Sequence, residues 1–260
     1  MNSCPKSRVH PINFSETQLD RYAGFYATIL DDVFTPEECR DLLSLATKFA
    51  TWLPAGLSAE GPTQTVHSNF RNSERILHID AEASNMVYER LLPLVEHDLG
   101  EIAVGGRWEG ITGKTGRKQG PKWKLVGGRV NPRLSFLRYG PSHYFKSHCD
   151  GLNDLVREDG TVHKSFVTLH LYLNGSADPI TGDIDSTQAT FKLLSNDPDE
   201  PLEGGATRFW TPDKKHFLDV LPRVGRVLVF QQRMLVHSGE EVVQGIKYTM
   251  RGDFMFEEVA

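Results

Sequence analysis

Residues Leu134 to Gly151 read LSFLRYGPSHYFKSHCDG. Near the end of this stretch, His148 and Asp150 are separated by a single residue. Alternate side chains on a strand share a face, so an imidazole and a carboxylate look into the same space. They are two of the three donors of a 2-His-1-carboxylate facial triad, the iron site that keeps coordination positions open. The third donor must come from a distant strand, and His237, within QQRMLVHSGEEVVQGIKYTMRGDF, is the candidate. The H-x-D spacing alone is weak: His78-Ile79-Asp80 repeats it, although Asp80 is better used there as a helix cap.

Outward from this stretch, the C-terminal half breaks into short β segments. Strands are expected at Arg133–Tyr139, Tyr144–His148, Ser165–Leu173, Ala189–Leu194, Ala206–Trp210, Phe217–Val220, Arg226–Phe230 and Lys247–Phe256. Turn signals separate them, among them GPS at 140, NDPDEP at 196 and GG at 204. Short strands at this spacing predict a sandwich or jelly roll. In the last strand, Lys247, Thr249, Arg251 and Asp253 share one parity and Tyr248, Met250, Phe254 and Phe256 the other. If the apolar face packs on helices, the charged face looks inward. A buried lysine or arginine then needs an anionic partner, which a dicarboxylate co-substrate would supply. Ser165–Leu173 divides in the same way, with Thr168, His170 and Tyr172 on one face.

The N-terminal half reads as support. Residues 1–20 are polar and irregular and are expected as a loosely held arm, with a first strand over Tyr22–Leu30. In FTPEECRDLLSLATKFA, Thr35 is an N-cap, Pro36 fits the first helical position and Glu38 completes a capping box. Asp80 caps a second helix, which Pro93 is expected to kink or restart. The segment 105–128 is rich in glycine and basic residues and reads as a solvated connection. A lid closing on an anionic substrate is the sharper alternative.

Composition narrows the classes. The chain has 260 residues, 39% hydrophobic and 24% charged, enough for a sizeable core. A formal net charge of -5 disfavours a nucleic-acid binder. Three dispersed cysteines make no disulfide or zinc framework. No signal peptide and no apolar run of membrane-spanning length is visible, so the expected location is the cytoplasm.

Five stretches, RYGPSHYFKSHCDG, VTLHLYLN, GGATRFW, VGRVLVFQQRMLVHSG and GIKYTMRGDF, follow one another from about Asn131 to Phe256. In that order they resemble the prolyl 4-hydroxylase-like branch of the iron(II)/2-oxoglutarate dioxygenases, and FTPEECRDLLSLA is similar to that family's N-terminal helix. The resemblance implies a mainly β fold, a double-stranded β-helix (jelly roll, cupin-like) with supporting N-terminal helices. It implies one oxygenase domain over 21–260, with a supporting layer at 21–104, the loop at 105–128 and the core at 131–257. It places iron on His148, Asp150 and His237, the same residues being catalytic. Lys247, ten residues after His237, would pair with the C5 carboxylate of 2-oxoglutarate, with Tyr139 and Thr168 assisting. Arg251 would share that carboxylate or contact the primary substrate. Arg71, Arg75, His143 and His170 are the remaining substrate candidates. Departures from the family pattern are Ala206 in place of an acidic residue, Phe145 in place of a tyrosine, and the 105–128 segment.

The implied activity couples decarboxylation of 2-oxoglutarate by O2, with ascorbate in support, to oxidation of an unactivated C–H bond. Hydroxylation of a small or amino-acid-like molecule leads. Hydroxylation of a prolyl or other protein side chain, and a catalytically silent metal-binding jelly-roll module, are the alternatives.

Overall fold

A computed structural model describes residues 7–58, 64–113, 118–128, 130–175 and 201–259. Its main elements are β1 (Arg8–Pro11), β2 (Ala27–Asp31), α1 (Pro36–Phe49), β3 (Glu74–Ile79), α2 (Ala81–Leu99), β4 (Lys122–Leu125), β5 (Arg133–Tyr139), β6 (Tyr144–His148), β7 (Val162–Tyr172), β8 (Thr207–Trp210), β9 (Phe217–Val220), β10 (Val227–Gln231), β11 (His237–Gly239) and β12 (Lys247–Val259).

Two antiparallel sheets face each other. The major sheet runs β1-β2-β10-β7-β12-β5-β3, ending on the two-residue strand Leu53–Pro54. The minor sheet runs β9-β8-β11-β6 and closes on Arg71–Asn72. Most neighbouring strands in the centre of each sheet, such as β10-β7-β12-β5 and β11-β6, come from distant parts of the chain, which is the double-stranded β-helix arrangement. The expected strand Ala189–Leu194 lies outside the described residues.

Alternation explains what each sheet face buries. On β12, Met250, Phe254 and Phe256 join Val167, Leu169 and Leu171 of β7 and Phe136 of β5 in a core shared with Leu42, Ala46, Val87, Leu91 and Val95 of the two helices. The opposite parity, carrying Lys247, Arg251, Asp253, Thr168 and His170, faces the minor sheet. The charged face of β12 therefore looks inward. At α1, the Thr35 hydroxyl accepts from the Glu38 N–H at 3.2 Å and the Glu38 carboxylate accepts from the Thr35 N–H at 2.8 Å. Arg90 of α2 reaches across to the same carboxylate at 2.6 Å, tying the helices together.

Sequence expectations need correction in three places. Residues 7–20 are no loose arm: β1 pairs with β2, and Phe14 and Leu19 are buried beside Phe209 and Phe230. The strand expected from Tyr22 begins only at Ala27, after a 3-10 turn over Asp20–Tyr22. Second, α2 runs unbroken through Pro93. A proline inside a helix costs about 3 kcal/mol. Buried Leu91, Val95 and Leu99 contribute about 1.5–3 kcal/mol each, which outweighs it. Third, the described parts of 105–128 are folded onto the body. Ile111 is buried, the Trp108 indole donates to Asp98 at 3.0 Å, and β4 pairs with the end of β12. None of the described residues of this segment lines the central cavity.

Candidate metal centre

Between the sheets lies a cavity of about 370 Å³. His148 is the last residue of β6 and sits directly opposite His237 of β11. Asp150 lies beyond the end of β6, so it reaches the site from the following turn rather than from the strand itself. One donor atom from each of His148, Asp150 and His237 lies within 4.8 Å of the other two.

The hydrogen bonds aim these donors. His148 Nδ1 faces the Lys146 carbonyl at 2.8 Å and His237 Nδ1 the Leu235 carbonyl at 3.1 Å. A carbonyl only accepts, so both rings carry their proton on Nδ1 and turn a bare Nε2 lone pair inward. Those two Nε2 atoms stand 3.8 and 3.9 Å from Asp150 Oδ1. Asp150 Oδ2 is occupied elsewhere, accepting from the Thr168 hydroxyl at 2.6 Å and from Arg251 Nε at 3.4 Å. This is the outer support that fixes ring tautomer and carboxylate orientation in metal sites.

The electrostatics agree. Burial, with His237 alongside, pushes the His148 pKa down to about 3, so its ring is neutral. Burial works against the Asp150 carboxylate, but Arg251, the two imidazoles and the Thr168 hydroxyl outweigh it and hold the group ionised. Phe145 stacks on His148 with ring centroids 3.6 Å apart, and His237 packs against Phe230 at 4.8 Å. A neutral His148 ring, the His237 ring and one ionised carboxylate suit a divalent ion such as iron(II).

Deeper in the cavity, Lys247 is 1% exposed. Its ammonium donates to the Gly205 carbonyl at 2.7 Å and lies 4.4 Å from the Tyr139 ring centroid. Gly205 adopts φ +73°, and a Cβ there would sit 3.1 Å from the Lys247 chain, so the GG turn is shaped by this lysine. Burial, opposed only by distant Glu240, pushes the Lys247 pKa down to about 7. An ammonium has three donors, and one meets Gly205, so the bay suits a carboxylate. Nearby, His170 Nε2 is buried with no hydrogen-bond partner among the described residues.

Most sequence candidates converge here: Tyr139, Thr168, His170, Arg71, Arg75, Lys247 and Arg251 all line the cavity. His143 does not; its backbone serves the turn after β5, bonding Gly140 and Val242. Thr168 binds Asp150 rather than standing free for a co-substrate, and Arg251 pairs with Asp150 and with Asp253 at 3.1 Å. Cys149, between the two ligands of the H-x-D pair, is exposed at the cavity rim. Sequence reading missed a polar brace behind the centre, in which Asn153 and Gln232 each donate to Asp253 at 2.8 Å. It also missed Arg133, although parity on β5 with Tyr139 was a usable signal.

Residues 134–254 match the 2OG-Fe(II) oxygenase superfamily profile. This segment belongs to that superfamily. The chain is thus a 2-oxoglutarate- and iron(II)-dependent dioxygenase. Its fold is similar to that of a Pseudomonas putida prolyl-4-hydroxylase, with a TM-score of 0.53 at 17% identity over 90% of this chain and 95% of that one. It is also similar to a Trichoplax adhaerens prolyl hydroxylase solved with a hypoxia inducible factor oxygen degradation domain peptide fragment. That match has a TM-score of 0.50 at 13% identity, covering 88% of this chain and 83% of that one. No curated protein sequence matches the oxygenase. Among the described residues, no helix is long and apolar enough to cross a membrane.

Proposed function

We propose that His148, Asp150 and His237 hold the iron(II), that Lys247 anchors the C5 carboxylate of 2-oxoglutarate, and that the enzyme hydroxylates a C–H bond of a small substrate. The observation that carries this reading is the shared inward aim of three donor atoms, within 4.8 Å of one another, above a buried lysine in the same cavity. Bound iron(II) supplies the coordination positions where 2-oxoglutarate and dioxygen react, giving succinate, carbon dioxide and a hydroxylated product.

The chain's own residues do the positioning. The inner wall of Lys247, Tyr139 and His170 gives a dicarboxylate one charged end-stop and neutral polar contacts beside it. Thr168 and Arg251 keep Asp150 ionised and turned towards the histidines. Phe145 and Phe230 exclude water from the two imidazoles. A cavity of about 370 Å³ lies near the small end of ligand pockets and must hold 2-oxoglutarate as well, which favours a small substrate over a bulky one.

The test is anaerobic addition of iron(II) and then 2-oxoglutarate. A visible charge-transfer band is expected, absent in His148→Ala and His237→Ala and needing more 2-oxoglutarate in Lys247→Ala. Under air, succinate should form. No band and no succinate would favour a silent metal-binding module.

A further inference from the structure

The charge inside the cavity is opposite to that of the chain. The protein carries a formal -5. Yet five cationic side chains line the cavity, Arg71, Arg75, Arg133, Lys247 and Arg251, against two carboxylates, Asp150 and Asp253. Both carboxylates are paired with Arg251. Lys247 is accounted for by the co-substrate bay. The other three guanidinium groups gather on the side formed by Arg71–Asn72, β3 and the start of β5.

Arg71 is 8% exposed, its Nε donates to the Ser73 hydroxyl at 3.0 Å, and its guanidinium lies 4.5 Å over the Phe145 ring. Phe145 stacks on His148, so Arg71 is close beside the metal centre. Among the described residues, neither Arg71 nor Arg133 forms an ion pair with a carboxylate. Burial, then the nearby charges of Arg71, Arg133 and Arg251, push the Arg75 pKa down to about 10. Like charges gathered in a partly desolvated space are costly unless an anion joins them. The planar fork of arginine suits carboxylate and phosphate oxygens. Phe70, Leu77 and Leu137 line the same cavity and offer apolar surface next to these groups.

We propose that the primary substrate is an amphipathic small molecule whose oxyanion, a carboxylate or a phosphate, is gripped by Arg71 and Arg75, with Arg133 at the rim, while its aliphatic part lies towards the His148/Asp150/His237 centre. This rests on the metal and co-substrate assignment above and names the substrate class for it.

The test uses the full chain loaded with Mn(II) and saturating 2-oxoglutarate. Four probes are followed by proton NMR, where a ligand seated beside Mn(II) broadens: hexanoate, hexanamide, hexyl phosphate and hexanol. The expected result is broadening of at least one of the two anions and not of the neutral probes, and the stronger anion identifies the headgroup. Arg71→Gln and Arg75→Gln should each weaken that anion about tenfold or more, as loss of a charge-assisted hydrogen bond does. Arg71→Lys should recover part of the loss. Arg133→Gln, at an exposed position that leaves the core intact, should weaken it by a smaller factor. Arg40→Gln on the outer face of α1 should change nothing. Equal broadening of the neutral probes, no broadening of either anion, or affinities unmoved by Arg71→Gln and Arg75→Gln would overturn the proposal. So would anion binding that disappears once 2-oxoglutarate is saturating, since that would place the anion in the Lys247 bay. If 2-oxoglutarate itself fails to bind the Mn(II) protein, the underlying assignment has failed rather than the substrate class.

Discussion

Lys247 places its amine at 1% exposure, facing the Tyr139 ring and His170, with Glu240 as the carboxylate that acts on it from a distance. With its pKa lowered from 10.5 to about 7, the folded lysine loses its proton where a solvated one keeps it. A carboxylate ligand restores the charged form, so binding above about pH 7 takes up a proton. The affinity for 2-oxoglutarate should therefore weaken with rising pH above about 7, approaching tenfold per unit, and level off below it. Calorimetry in buffers of different ionisation enthalpy checks this, and Lys247→Ala should abolish the dependence. The sign for stability is the reverse: between about pH 7 and 10.5 the unfolded chain binds the extra proton, so this group's contribution to stability rises with pH. A second residue-scale prediction concerns Arg251 and Thr168. Arg251→Gln or Thr168→Val should weaken Mn(II) binding about 10- to 100-fold by releasing Asp150, measured by metal titration. The H-x-D spacing and the order of the motifs made His148, Asp150 and His237 legible as candidates, and the fold brings their donor atoms together although Asp150 reaches the site from the turn after β6. Which oxygen of Asp150 is already taken by Thr168 and Arg251 depends on β7 and β12 lying side by side, and no spacing encodes that.

The two helices and most of the described core strands were readable because caps and alternation are written in short stretches. The Thr35 box and the Asp80 cap appear as expected, and the inward charged face of β12 follows from its parity. Pro93 and the 105–128 segment were misread for one reason: local propensity yields to burial. Leu91 on α2 is fully buried against the sheet, so Leu91→Ala should destabilise the protein by about 2–5 kcal/mol in chemical denaturation. Likewise Trp123, placed in a glycine- and lysine-rich stretch, packs edge-on to Phe166 at 4.9 Å. Lys122 and Lys124 flank this buried aromatic anchor, which composition hides.

At the scale of the whole molecule, the N-terminal segment is continuous with the metal centre. Phe14 meets Phe209 edge-on at 5.8 Å, and Phe209 meets His237 at 6.4 Å. Deleting residues 1–20 should therefore lower the Tm and weaken Mn(II) binding together, by thermal unfolding and metal titration, whereas removal of a free arm would alter neither. The most direct check of the central claim is anomalous diffraction at the iron edge from crystals grown anaerobically with iron(II) and 2-oxoglutarate. The account predicts one iron peak bonded to His148 Nε2, Asp150 Oδ1 and His237 Nε2, with a 2-oxoglutarate carboxylate on Lys247. An iron peak away from these three residues, or 2-oxoglutarate bound elsewhere than the Lys247 bay, would contradict it.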